Sequence, residues 1–165
     1  MTEKNQEMDI SSWSDMEFAI SGPQTVKEVL NEAILREAER RGIEKGKKQL
    51  IEQIEGEVKL HLRRYFDSIL ELAKIVREKV SSEYPDAHIL DFRTFLLPFS
   101  DELNLFVIFD NIDFETDIKI GFLLSEIERT FLVEHNTFCE ILYVRKTNNL
   151  DIASVKRDYP FILKA

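Results

Sequence analysis

The chain has 165 residues, of which 44% are hydrophobic and 32% are charged, and its formal net charge is −9 at pH 7. This length suits a single hydrophobic core with an appended helix, and the composition is that of a globular protein rather than a fibrous or disordered one. The acidic balance argues against general nucleic-acid binding, because most of the surface would repel phosphate groups.

The single cysteine, Cys139, excludes an intramolecular disulfide. It stands in the apolar run "FCEILYV", which predicts a small core residue. No apolar run is long enough to cross a bilayer, and the polar, acidic start "MTEKNQEMDISS" does not resemble a secretion signal. We therefore expect a cytoplasmic protein without membrane contact.

Residues 1–23 read as a polar N-terminal tail with a short apolar segment. Met16, Phe18 and Ile20 alternate as they would on one face of a strand, whereas a helical face would join Trp13, Met16 and Ile20 and leave Phe18 out. We favour an extended segment, which can add to the edge of a sheet. That sheet is either the chain's own or a partner's, so these four residues are the predicted partner-binding set.

Residues 24–83 form a predicted helical region that opens on a capping box and is interrupted by Gly42 and Gly46, where we expect a hinge or a break. A second helix follows, with apolar residues at steps of three and four over 50–80, and it ends before Pro85. This helix packs along its own domain or forms a coiled coil with a second copy. The first alternative is favoured because the apolar stripe is not a strict heptad.

Residues 84–165 have the pattern of an α/β domain. The runs "HILDFRTFLLP", "LNLFVIFD" and "TFCEILYVRK" predict three strands. A helix capped by Asp113 separates the last two strands, and a short helix and a tail close the chain. One apolar face is predicted for the capped helix: Ile118, Phe122, Leu123, Ile127 and Phe131. The predicted fold class is α+β, a small mixed sheet packed by helices, with a long N-terminal helical extension.

The order of these elements bears on one chemistry in particular. Metal-dependent nucleotidyl transfer uses carboxylates from neighbouring strands to hold two Mg²⁺ ions, two of them at positions i and i+2 of one strand. The stretch "SSEYPDAHILDFRTFLLPFSDELNLFVIFD", followed by "CEILYVRK" and "DYPFIL", resembles the minimal nucleotidyltransferases of the polymerase-beta-like superfamily over roughly residues 84–161. The resemblance implies a nucleotidyltransferase-like core in which Asp101, Glu102 and Glu140 are the catalytic acids and Mg²⁺ is the cofactor.

Two departures from that pattern affect the chemistry. The family places a Gly-Ser turn before the paired acids, but no glycine occurs between Gly56 and Gly121, and Leu-Leu-Pro stands at the turn. Strand alternation puts Glu102 and Asn104 at the paired positions, and asparagine is a neutral ligand. Glu102, Asn104 and Glu140 are therefore weak metal candidates. The alternative interpretation is a set of solvated polar residues at a strand end that hold no ligand.

The favoured hypothesis is a non-catalytic nucleotidyltransferase-like protein, a pseudoenzyme that binds a protein partner or a second copy through its N-terminal segment and helices. The resemblance implies an antitoxin-like or regulatory role, and no cofactor is expected. One alternative is a divergent Mg²⁺-dependent nucleotidyltransferase that uses Asp101 or Glu102 with Glu140. Another is a scaffold or oligomeric α+β protein unrelated to that superfamily, which would follow if 92–109 and 138–145 lay in different sheets.

Overall fold

The computed structural model describes residues 18–20, 26–41, 48–96 and 100–165. The elements in chain order are β1 (Phe18–Ile20), α1 (Val26–Arg40), α2 (Lys48–Glu83), β2 (Ile89–Thr94), β3 (Leu103–Phe109), α3 (Phe114–His135), β4 (Cys139–Arg145), α4 (Ile152–Asp158) and β5 (Phe161–Leu163). Helices pack on a mixed sheet, which confirms the α+β class predicted from the sequence. The predicted hinge at Gly42 and Gly46 lies outside the described residues.

The sheet has the strand order β1-β5-β2-β3-β4. Strands β3 and β4 run parallel, with Leu103 opposite Cys139, and the other neighbouring pairs run antiparallel. The end of β2 and the beginnings of β3 and β4 therefore meet at the same edge of the sheet. Strands β2, β3 and β4 share one sheet, as a nucleotidyltransferase-like core requires, and membership of that superfamily stays a prediction.

Both ends of the chain contribute strands to the far side of this sheet. The extended conformation predicted around Phe18 and Ile20 is confirmed, and β1 pairs with the chain's own β5. The predicted tail was wrong, because Phe161–Leu163 forms β5, which lies between β1 and β2. A three-residue strand is too short for an alternation signal, and its hydrogen-bonded neighbours define it.

Helix α2 has 36 residues and ends before Pro85, as the sequence predicts. Its stripe is buried from Ile54 to Val80, at Ile54, Val58, Leu62, Phe66, Ile69, Ala73, Val76 and Val80. From Tyr65 onward these residues share one core with the sheet, whereas the earlier part of α2 contacts α1. The core of residues 84–165 is therefore completed by the second half of α2.

Strand β3 is buried on both faces. Leu103, Leu105, Val107 and Phe109 contribute to the core shared with the helices. On the other face the Phe106 ring stacks on the Tyr159 ring, with their centroids 4.4 Å apart. The interpretation of Glu102, Asn104 and Glu140 as solvated residues at a strand end is wrong for Asn104, which is 7% exposed. Tyr159, which follows α4, therefore packs on this face at Phe106.

Helix α3 begins and ends with well-defined caps. Asp113 accepts a hydrogen bond from the Thr116 backbone N–H at 2.9 Å, which confirms the predicted N-cap. Asn136, at φ 49°, ends the helix in the left-handed conformation. The predicted apolar face was wrong in part, since Ile118 and Phe122 are exposed. The residues that enter the core are Ile120, Leu123, Leu124, Ile127 and Phe131.

Candidate functional site

The predicted acids lie at the edge of the sheet where β3 and β4 begin. Asp101 and Glu102 are exposed and come immediately before β3. Asn104 and Glu140 are register partners on the two parallel strands, so the structure places them side by side. Asn104 is buried and Glu140 is exposed. The structure thus brings the weak metal candidates to one edge but gives them different solvent environments.

The polar groups at this edge differ from a two-metal carboxylate clamp. The Asn104 side-chain amide lies 3.5 Å from the Glu102 carbonyl, a long hydrogen bond. Among the residues that the structure describes, no group of three or more His, Cys, Asp or Glu side chains is placed to hold a metal ion. A two-metal clamp uses converging carboxylates, whereas the paired position here is a buried, neutral amide. These residues therefore fit such a clamp poorly.

Tyr65 of α2 ties β2 to β3 at this edge. Its hydroxyl oxygen lies 2.8 Å from the Thr94 hydroxyl and 2.9 Å from the Phe95 carbonyl, and it accepts from the Asn104 backbone N–H at 3.4 Å. Burial raises the pKa of the Tyr65 phenol, so the group stays neutral at physiological pH. A neutral tyrosine thus holds the strand ends where the resemblance places a phosphate-binding turn. Residues 97–99 of that turn lie outside the described residues.

A second side chain of α2 contacts the same segment. The His61 Nε2 atom lies 3.1 Å from the Ser100 carbonyl oxygen. Since a carbonyl only accepts, this contact requires the N–H on Nε2. His61 and Tyr65 stand one helical turn apart, so α2 contacts the segment on both sides of the β2–β3 connection. Sequence reasoning missed Tyr65, although a tyrosine beside an apolar stripe is typical of a buried ring with a bonded hydroxyl.

Glu140 borders an aromatic cluster formed by Phe95, Phe106 and Tyr159. The Phe95 and Tyr159 rings meet edge to face at 5.5 Å between centroids, and Phe106 stacks on the same tyrosine. Burial raises the pKa of the Tyr159 phenol, and the nearby Glu140 carboxylate raises it further. Glu140 is thus an exposed carboxylate beside the cluster of Phe95, Phe106 and Tyr159.

A different surface of the molecule is apolar and open to solvent. We call it the outer face of α3 and define it by Phe114, Ile118, Phe122, Leu132 and Val133. Phe114 is 71% exposed, Phe122 is 74% exposed and Val133 is 78% exposed. At about 100° per residue, the centre of this face lies on the side of the helix opposite the core residues. The signal that could have revealed it is the i, i+4, i+8 spacing of Phe114, Ile118 and Phe122.

Contacts along β4, the last strand in the sheet order, fix the orientation of α3. The Glu128 carboxylate accepts from the Ile141 backbone N–H at 2.6 Å, and the Tyr143 hydroxyl donates to the Asp117 carbonyl at 3.0 Å. Gly121 gives that tyrosine room, since a Cβ there would lie 2.9 Å from its oxygen. These contacts hold the inner side of α3 on the sheet, so the outer face points to solvent.

Cys139 is the first residue of β4, and its thiol faces α3. It is buried, which confirms the core position predicted from the sequence. Burial raises the pKa of its thiol to about 11, and the Glu128 carboxylate adds to the rise. The thiol is therefore protonated at neutral pH. A nucleophilic role requires the thiolate, so this environment favours a packing role.

The predicted N-terminal binding residues are described in part. Phe18 and Ile20 lie in β1, whose backbone pairs with β5, and Trp13 and Met16 lie outside the described residues. Partner binding by this segment stays a prediction.

No family model, no curated protein and no solved structure matches this chain. Within the described ranges, no helix is both long and apolar enough to cross a membrane. Two surfaces described above could therefore carry the function. One is the edge of the sheet where β3 and β4 begin, with Glu102, Asn104 and Glu140, which we call the strand edge. The other is the outer face of α3.

Proposed function

We propose that this chain acts by binding protein through the outer face of α3 and does not transfer nucleotidyl groups. The observation that carries the proposal is a 22-residue helix that is apolar on two opposite sides. A surface helix normally buries one apolar stripe and presents polar residues on the other side. Phe114, Ile118 and Phe122 follow one another at one-turn spacing and are all exposed, so they form a contiguous apolar strip of the kind that marks interaction sites.

The strand edge supports the non-catalytic part of the proposal. Asn104, at a position where the resemblance expects an acid, is neutral and buried, while Glu102 and Glu140 face solvent. The Tyr65 hydroxyl ties together the strand ends beside it. In this proposal the chain retains a nucleotidyltransferase-like fold without its catalytic residues, and the sheet serves as a rigid support for α3. Its role would be antitoxin-like or that of a regulatory subunit in the cytoplasm.

A divergent nucleotidyltransferase is the second candidate, and one observation favours it. Asn104 and Glu140 are adjacent on parallel strands, and Glu102 stands two residues before Asn104. Glu140 together with Asp101 or Glu102 would then bind one Mg²⁺ ion. The Glu140→Gln variant separates the two candidates, because the substitution removes a charge from an exposed side chain and leaves the core unchanged.

The non-catalytic part of the proposed function is tested by label transfer. The full chain is incubated with Mg²⁺, a labelled nucleoside triphosphate and an extract of the cells that express the protein, beside Glu140→Gln and the exposed control Glu83→Gln. We expect the three proteins to give the same background of labelled products. Products formed by the wild type and by Glu83→Gln, and lost with Glu140→Gln, would overturn the proposal in favour of the enzyme.

A further inference from the structure

We infer that a second copy of this chain covers the part of the outer face of α3 formed by Phe114, Ile118 and Phe122, with the two α3 helices antiparallel and related by a two-fold axis near Phe122. This inference rests on the proposed binding function and names the partner. Antiparallel pairing about a two-fold axis is an isologous contact, in which each surface element meets its own counterpart.

Charge complementarity selects this arrangement. Glu115 stands seven residues before Phe122, and Arg129 stands seven residues after it. In an antiparallel pair centred on Phe122, Glu115 of each copy therefore lies opposite Arg129 of the other, and the contact occurs twice. A parallel pair in register would place Glu115 beside Glu115, which costs energy. The same two side chains thus favour one orientation and oppose the other.

The apolar side chains suit the same geometry. Phe114, Ile118, Phe122 and Arg129 fall within about 80° of one another around the helix axis, at 3.6 residues per turn. Phe122 meets its counterpart at the axis, where two aromatic rings pack edge to face or offset. Ile118 lies one turn away, so it extends the apolar contact on both sides of the axis.

The existing partner of Glu115 does not prevent this contact. Lys119 donates to the Glu115 carboxylate at 2.6 Å, and both side chains are exposed. An exposed pair one turn apart on a helix contributes little to stability, so the carboxylate can also bind a guanidinium that arrives from a second copy. Arg129 is exposed and lies on the same side of the helix as Phe122.

With the two-fold axis at Phe122, residues 114–130 of the two helices overlap, which gives a contact about 25 Å long. Stable dimers bury about 800 Å² per partner, and two single helices approach that area only when they are packed along their length. We therefore expect a dissociation constant on the order of micromolar.

Sedimentation equilibrium of the full chain tests the inference. Over a range from low to high micromolar concentration, we expect the wild-type mass to rise from 19.4 kDa to twice that value. Phe122→Glu should stay at 19.4 kDa, because it places two like charges at the axis. Leu60→Glu, which places a glutamate at an exposed apolar position of α2, should behave as the wild type. Thermal melts by circular dichroism establish that each variant is folded.

A charge exchange then tests the register. Glu115→Arg and Arg129→Glu should each weaken the dimer about tenfold or more, and the double variant should recover to within about threefold of the wild type. If the wild type is monomeric at every concentration, or if Phe122→Glu dimerises, the inference that a second copy binds the outer face of α3 is wrong. The partner would then be a different protein. A double variant no tighter than the singles would overturn the antiparallel register. None of these results alters the label-transfer test of the proposed function.

Discussion

The two apolar faces of α3 are alike in residue type and differ in solvent contact. Phe131, on the inner face, is 2% exposed, whereas Phe122, on the outer face, is 74% exposed. The apolar residues of each face follow helical spacing, and either group could pack in a hydrophobic core. The difference shows that apolar periodicity tells how many faces a helix can bury, whereas the partner that buries each face depends on the rest of the fold.

The largest expected effect separates the two faces by stability. Phe131→Ala should lower the free energy of unfolding by about 3–5 kcal/mol, because it opens a cavity in the core. Phe122→Ala should change it by less than about 0.5 kcal/mol at concentrations where the chain is monomeric. Urea unfolding of the two variants measures both values. Equal losses would show that the outer face is packed within the same chain.

Thiol labelling sharpens the same comparison. With a pKa of about 11, the Cys139 thiol is largely protonated at pH 7.5, and it is also buried. We expect it to react about a hundredfold more slowly in the native chain than in the urea-unfolded chain. A cysteine placed at the outer face by Val133→Cys, in a Cys139→Ser background, should react at the unfolded rate. Fast labelling of native Cys139 would contradict the buried assignment.

The strand edge supplies a smaller expected effect. Tyr65→Phe removes the hydroxyl shared by Thr94 and the Asn104 backbone, so we expect a loss of about 1–3 kcal/mol in the free energy of unfolding. Tyr84→Phe, at a half-buried tyrosine of the α2–β2 connection, is the matched control and should lose less. If the two variants are equally stable, the Tyr65 hydroxyl does not hold this edge.

The smallest expected effect lies on α1, away from the sheet. Hydrogen bonds from Arg40 and then Arg41 lower the pKa of Glu37 from 4.5 to about 2. A carboxyl whose pKa is lower in the folded state stabilises the fold above pH 4.5, and the contribution disappears as the pH falls toward 2. Glu37→Gln should therefore melt slightly below the wild type at pH 7 and together with it near pH 2. A gap that persists at pH 2 would contradict this assignment.

Much of the fold could be predicted from local sequence patterns. The long helix α2, the three strands β2, β3 and β4 and the Asp113 cap each carry a signal within a few neighbouring residues. Strand β5 carries no such signal, because its three residues become a strand through pairing with β1 and β2. A short strand such as β5, which is defined by its neighbours in the sheet, is therefore the part of this fold that sequence reasoning misses.

The candidate sites were predictable in position but not in environment. The sequence placed Glu102, Asn104 and Glu140 near one another, and the register of β3 and β4 brings Asn104 and Glu140 together. The burial of Asn104 depends on how distant parts of the chain fold over β3, and no local pattern encodes such a contact. The outer face of α3 was misassigned because Phe122 and Leu123 are adjacent in sequence but about 100° apart around the helix.

Whether the outer face of α3 is the working surface is tested most directly by affinity capture from the cells that express the protein. Four tagged chains serve as bait: wild type, Phe122→Glu, Leu60→Glu and Glu140→Gln. We expect the wild type, Leu60→Glu and Glu140→Gln to recover the same proteins, including the untagged copy of the chain, and Phe122→Glu to lose them. Full recovery by Phe122→Glu, with loss by Glu140→Gln, would contradict the assignment and return the function to the strand edge.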